Sequence, residues 1–111
     1  MIFAAHTDDR SLHVFPDALT AACYCEGSAV EATTWLFWDE QGRPLGAEFD
    51  IPNKRGLFTI KNGVYHLVPV TGEGHATLQE VLEGVRQVVG EFASVEAVRD
   101  YLNRLNPTGA A

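Results

Sequence analysis

Cysteine occurs only twice in these 111 residues, at Cys23 and Cys25, and the 8 basic residues are outnumbered by 15 acidic ones. Two thiols are too few for the disulfide frameworks of small secreted scaffolds, and a chain of this length buries one core without such staples. The C-x-C pair also lacks the second C-x-x-C or the paired histidines of a four-ligand zinc site, so no metal and no cofactor is expected. A net charge of −7 repels phosphate backbones and anionic lipid, which argues against nucleic acid or membrane and for a basic protein partner. Long apolar runs are missing too. The opening "MIFAAHTDDR" has no basic leader and soon reaches Asp8 and Asp9, so neither a signal peptide nor a spanning helix is read and a cytoplasmic location is expected. No repeat, low-complexity tract or phosphate-binding glycine loop occurs.

What is present is a globular balance, 46% apolar and 21% charged, with clear local patterns. "MIFAA" and "SLHVF" alternate as two strands around the turn "HTDDR", an opening hairpin. "PDALTAACYCEG" reads as a short helix, with Pro16 in its first turn, Asp17 near its N-terminus and Gly27 as its stop. On that helix Cys23 and Cys25 lie about 200° apart, which separates the thiols. Ala18, Leu19, Ala22, Cys23 and Cys25 are expected to form its apolar side, with both thiols free and at least one buried.

After the loop "SAVEA", the stretch "TTWLFWDEQGRPLGAEFDI" predicts a hairpin turning at "DEQGRP". A second hairpin is expected in "LFTIKNGVYHLVPV", with Asn62-Gly63 as a type I′ turn. That register places His66 opposite Thr59, and Phe58, Ile60, Tyr65 and Leu67 on the core face. Between the hairpins, "DIPNKRG" carries Lys54 and Arg55 in a loop, read as two solvated cations or as a clamp for a partner carboxylate. Thr77 and Glu80 form a capping box for a helix that either ends at Gly84, with "VRQVVG" as a strand after it, or runs on to Gly90 with Val88 and Val89 continuing its apolar stripe. Ser94 caps a closing helix "VEAVRDYLNRL" with an apolar stripe at Val95, Val98, Leu102 and Leu105. The whole is an α+β domain over residues 1–105, an antiparallel β-sheet of about five to seven strands with two or three helices packed against it, followed by a flexible tail at 106–111.

Candidate sites are few. In "WLFW", Trp35 and Phe37 share one face of the strand while Leu36 and Trp38 share the other. Either both faces are covered, or Trp38 is an exposed anchor rimmed by Asp39, Glu40, Glu48 and Asp50. Of the four histidines, His66 has the surroundings most suited to acid–base work, without a nucleophile elbow to serve.

The series "YCEG", "WLFWDEQGRPL", "PNKRGLFT", "NGVYHLVP" and "FASVEAVRDYL" resembles a group of small, mostly uncharacterised bacterial proteins. In size and acidity the chain is also similar to immunity proteins that neutralise antibacterial toxins. That resemblance implies a candidate role and carries over no residue. Physically, an acidic single domain can mask the active site of a basic toxin by steering and an aromatic anchor, as a non-catalytic protein-binding domain, and the contacts expected on that argument are Trp38, Asp39, Glu40, Glu48 and Asp50. Two alternatives stand beside it: a small enzyme or ligand-binding domain using His66 and a nearby carboxylate, and a housekeeping or regulatory subunit that oligomerises through the aromatic face.

Overall fold

Period-two alternation in "IFAAH" and "SLHVF" builds β1 (Ile2–His6) and β2 (Ser11–Phe15), paired antiparallel from Ile2 opposite Phe15 to His6 opposite Ser11. The computed structural model describes residues 1–57 and 60–105, the side chains of Arg55 and Ile60 excepted. The expectations for Phe58, Thr59, the Ile60 side chain and the tail at 106–111 lie outside the described residues.

After β2 comes α1 (Ala18–Tyr24), whose N-cap Asp17 accepts a hydrogen bond from the Thr20 N–H at 2.7 Å. The helix stops earlier than expected. Cys25 already has extended backbone, and Gly27 opens a second helix, α2 (Gly27–Glu31), where a loop was read. No side chain of Glu26 caps α2; its Ser28 N–H instead donates to Asn62 Oδ1 at 3.0 Å. The orphan donor of this short helix is therefore satisfied from far along the chain, which no local pattern signals.

Strand β3 (Trp35–Trp38) pairs with β1, and β4 (Pro44–Ile51) follows across the turn that was expected. Asp39 organises that turn: its Oδ1 accepts from the Gln41 and Arg43 N–H groups, each at 2.9 Å, and Gly42 supplies a φ of 81°.

The expected Asn62-Gly63 hairpin does not form. Strands β5 (Lys54–Arg55) and β6 (Ile60–Lys61) pair with each other, and β7 (Val64–Pro69) pairs with β4, with Glu48 and not Thr59 opposite His66. The pairs Ile51–Val64, Lys54–Lys61 and Arg55–Ile60 follow one register, so β4–β5 and β6–β7 are two arms of a single long hairpin. Pro52 and Asn53 interrupt one arm where Asn62 and Gly63 interrupt the other. Lys54 and Arg55 accordingly sit on a strand. Gly63 is required here by proximity, because a Cβ would overlap the Ile51 carbonyl oxygen.

The capping box closes as expected: Thr77 Oγ1 accepts from the Glu80 N–H at 3.1 Å and opens α3 (Leu78–Gly84). Then β8 (Gln87–Val89) pairs parallel with β2, and Ser94 Oγ accepts from the Ala97 N–H at 3.2 Å at the start of α4 (Val95–Leu105). The main sheet has six strands in the order β7-β4-β3-β1-β2-β8. The fold is α+β, with one parallel pair making the sheet mixed, and the described residues form four helices instead of two or three.

Helices pack on both faces of the sheet, on one of them only over β3, β1, β2 and β8. Ala21 and Cys25 close one side over Ile2, Ala4, Phe15, Trp35, Phe37 and Leu45. Leu78, Leu82, Val98 and Leu102 close the other over Phe3, Ala5, Leu12 and Trp38. Each large side chain so buried contributes about 1.5–3 kcal/mol. The expected apolar side of α1 is corrected: Ala21 meets the sheet, whereas Leu19 is 75% exposed and Ala18 and Cys23 face solvent. Alanine lets the helix lie close to the strands, so its smallest residue, not its largest, marks the buried side.

Candidate functional site

Because β4 and β7 alternate, Leu45, Phe49, Tyr65 and Leu67 turn toward α1 and α2, and Glu48 and His66 turn the opposite way. The core under α3 and α4 includes no residue of β4 or β7 among the described residues, so this end of the sheet meets solvent. His66 Nδ1 lies 2.9 Å from Asp50 Oδ2, and its Nε2 lies 3.9 Å from Glu48 Oε1. Hydrogen bonding to Asp50 raises the His66 pKa above its ordinary 6.5, and the charges of Asp50 and Glu48 add to that.

Stability from His66 is complete below pH 6.5 and is lost as pH rises through the raised folded value. His13 behaves oppositely: burial lowers its pKa from 6.5, helped by the nearby His6, so its contribution is present above 6.5 and is lost as pH falls through the folded value. Proton NMR should show His66 titrating above 6.5 and His13 below it, and Asp50→Asn should return His66 toward 6.5 without moving His13. Identical titration of His66 in the wild type and in Asp50→Asn would refute the pair.

Large apolar side chains are exposed in the same region. Ile51 and Val64 face each other across the hairpin, each 54% exposed, and Val70 packs on Gly46 at 40% exposure. Val64, Tyr65, Leu19, Ala22 and Cys23 border a cavity of about 300 Å³ between α1 and β7. The end of the hairpin has the opposite charge, Lys54 lying directly across from Lys61.

The five residues expected to contact a partner do not assemble. Trp38 is in the core with no exposed surface, its indole N–H donating to the Ala76 carbonyl at 3.1 Å, so it is not an exposed anchor. Asp39 is occupied by the turn and by Arg43 at 2.7 Å, and Glu40 stands 3.8 Å from the N-terminal ammonium. Glu48 and Asp50 lie further along β4, about 13 and about 20 Å along the strand from Pro44, where the turn ends. The aromatic face proposed for self-association is also occupied, because Trp35, Phe37 and Trp38 are all covered by the chain's own helices.

Comparison with family models, curated proteins and solved structures gives no match. The chain's own geometry therefore has to carry the functional reading. Among the described residues, no helix is long and apolar enough to cross a membrane. Three cavities lined by described residues do not include His66.

A second polar cluster escaped the sequence reading. Ser11, 4% exposed, places its Oγ 3.2 Å from His13 Nε2, with Trp35 stacked edge-on against both His13 and His6. The spacing S-x-H on a strand was the available signal, since residues two apart share a face.

The two thiols separate as expected, by a different route: Cys25 is buried beyond the helix end, and Cys23 is exposed on it. Burial pushes the Cys25 pKa up to about 12. A thiol reagent such as dithionitrobenzoate should therefore titrate one cysteine in the folded chain and both in denaturant, and rapid reaction of both in the native state would contradict the burial.

Proposed function

We propose that this chain is a non-catalytic protein-binding domain that docks a basic partner on its β4–β7 side, best understood as an immunity protein masking a basic antibacterial toxin. The observation that carries the reading is the juxtaposition, on one open end of the sheet, of the carboxylates of Glu48 and Asp50 with the exposed apolar pair Ile51 and Val64. Apolar contact area supplies affinity there, and the carboxylates supply steering and orientation. The Lys54–Lys61 pair at the hairpin end gives the surface a polarity, which favours one direction of approach. Glu48 and Asp50 remain from the expected contact set; Trp38 drops out and Ile51 and Val64 replace it.

Affinity capture on the immobilised chain, with lysate of its source cells at low salt, should retain a basic protein that elutes as ionic strength rises. The double charge reversal Glu48→Lys with Asp50→Lys should abolish retention, and Asp39→Asn with Glu40→Gln should leave it intact. Retention that survives the double reversal would remove the basis for this surface.

The enzyme reading draws on the same His66–Asp50 contact of 2.9 Å. Asp50 favours the protonated imidazole, which suits a proton donor, and such a role requires a substrate bound on an open strand surface.

A further inference from the structure

The outer edge of β7 is a row of backbone groups with a cavity of mixed apolar and polar lining on one side and the cluster of Glu48, Asp50 and His66 on the other. One hydrogen bond fixes its parity: the Val70 N–H donates to the Pro44 carbonyl at 3.2 Å, so Val68 and His66, opposite Gly46 and Glu48, also direct their backbone groups toward β4. The N–H and C=O groups of Tyr65 and Leu67, and the Pro69 carbonyl, then point away from the sheet. Among the described residues no backbone partner meets them, β7 being the last strand in the order. Pro69 has no N–H to offer, which limits an added ladder to the Tyr65–Leu67 stretch.

A strand added at this edge sends alternate side chains to opposite sides. On the α1 side they reach the cavity of about 300 Å³ whose apolar part is formed by Leu19, Ala22, Val64 and Tyr65, with Glu26 and Asn62 also in its lining. On the other side they stand beside His66, with Glu48 and Asp50 behind it. We propose that β7 takes up an extended basic segment of the partner as a further strand, its apolar residues filling the α1–β7 cavity and its alternate Lys or Arg residues facing Glu48 and Asp50. The proposal rests on the basic-partner reading and gives it a backbone register.

Charge selects this occupant over a second copy of the chain. Edge-to-edge pairing of two copies about a twofold axis brings the Glu48 and Asp50 clusters of both onto one side, in molecules each carrying −7. A basic strand meets at the same place two carboxylates against one imidazole, a cluster that is net negative even with His66 protonated.

The test uses short synthetic peptides titrated into the isotope-labelled full-length chain, so that every change is made on the probe and the fold is left alone. An alternating Val-Lys peptide should shift the Tyr65 and Leu67 amides and slow their hydrogen exchange. Its isomer with the same residues in two blocks should bind about tenfold more weakly, and N-methylation of amides on one parity should abolish binding while the other parity tolerates it. Equal binding of the two isomers without amide protection would overturn strand addition and leave the basic-partner reading standing. An alternating Val-Gln peptide that binds as well as Val-Lys would overturn the basic partner. Protected Tyr65 and Leu67 amides in a peptide-free dimer, seen by light scattering, would put a second copy on the edge and overturn the proposal.

Discussion

Trp38→Ala is expected to lower the free energy of unfolding by about 3–5 kcal/mol, the range for emptying a fully buried aromatic site. Trp38 has no exposed surface and packs with Phe3, Leu12, Leu78, Leu82, Val98 and Leu102, residues from two strands and both helices of that face. A cavity at that junction cannot collapse without moving the sheet against α3 and α4. Since a domain of this size is stable by about 5–15 kcal/mol, the variant retains little margin. Trp38→Phe keeps most of the apolar volume and loses the hydrogen bond to Ala76, whose carbonyl still accepts from His75 Nδ1 at 2.8 Å. It should cost about 1–2 kcal/mol. Urea denaturation separates the two variants, and an unchanged midpoint for Trp38→Ala would place the indole outside the core.

The second large effect is expected where the long hairpin is interrupted. Asn53 Nδ2 donates to the Gly27 carbonyl at 3.0 Å and to Glu31 Oε2 at 2.6 Å, while its Oδ1 accepts from the Gly63 N–H at 2.7 Å. One amide thus ties both arms of the hairpin to α2. Asn53→Ala removes three contacts at about 1 kcal/mol each, discounted for solvent replacing those that are exposed, so a loss of about 1–3 kcal/mol is expected. Gly63→Ala drives a methyl into the backbone of Ile51 and Pro52, where no side chain can yield, and should cost about 3 kcal/mol. The two changes break the same clasp, so the double variant should fall short of their sum. Equilibrium unfolding of the three variants measures this, and strict additivity would show that Asn53 and Gly63 act separately.

Local chemistry was a good guide wherever an element closes on itself. The Thr77–Glu80 box and the turn at "DEQGRP" both depend on residues a few positions apart, and both are legible in the sequence. The strand after Gly84 was one of two open readings, decided by its pairing with β2. The Asn62-Gly63 dipeptide misled because its turn preference is worth less than what the tertiary structure makes of it. Asn62 caps α2, Gly63 leaves room for the Ile51 carbonyl, and the longer hairpin brings the Tyr65 hydroxyl to the Cys25 carbonyl at 2.7 Å. The same shift in pairing hid the candidate site. His66 was read beside Thr59, and only the β4–β7 register sets it between Glu48 and Asp50. Trp38 shows the limit in the other direction: period two separates the faces of a strand, and only α3 and α4 decide that its face is closed.

The parallel pairing of β8 with β2 joins Gln87 to Ser11 across most of the chain, and the helices over Trp38 flank β8 on either side in the sequence. During synthesis the first three strands and α1 leave the ribosome well before α3, β8 and α4. Phe3, Leu12 and Trp38 are then an uncovered apolar surface beside the unpaired edge of β2. The nascent chain is accordingly at its stickiest between the emergence of β3 and that of α4, the interval in which a holdase chaperone has most to protect.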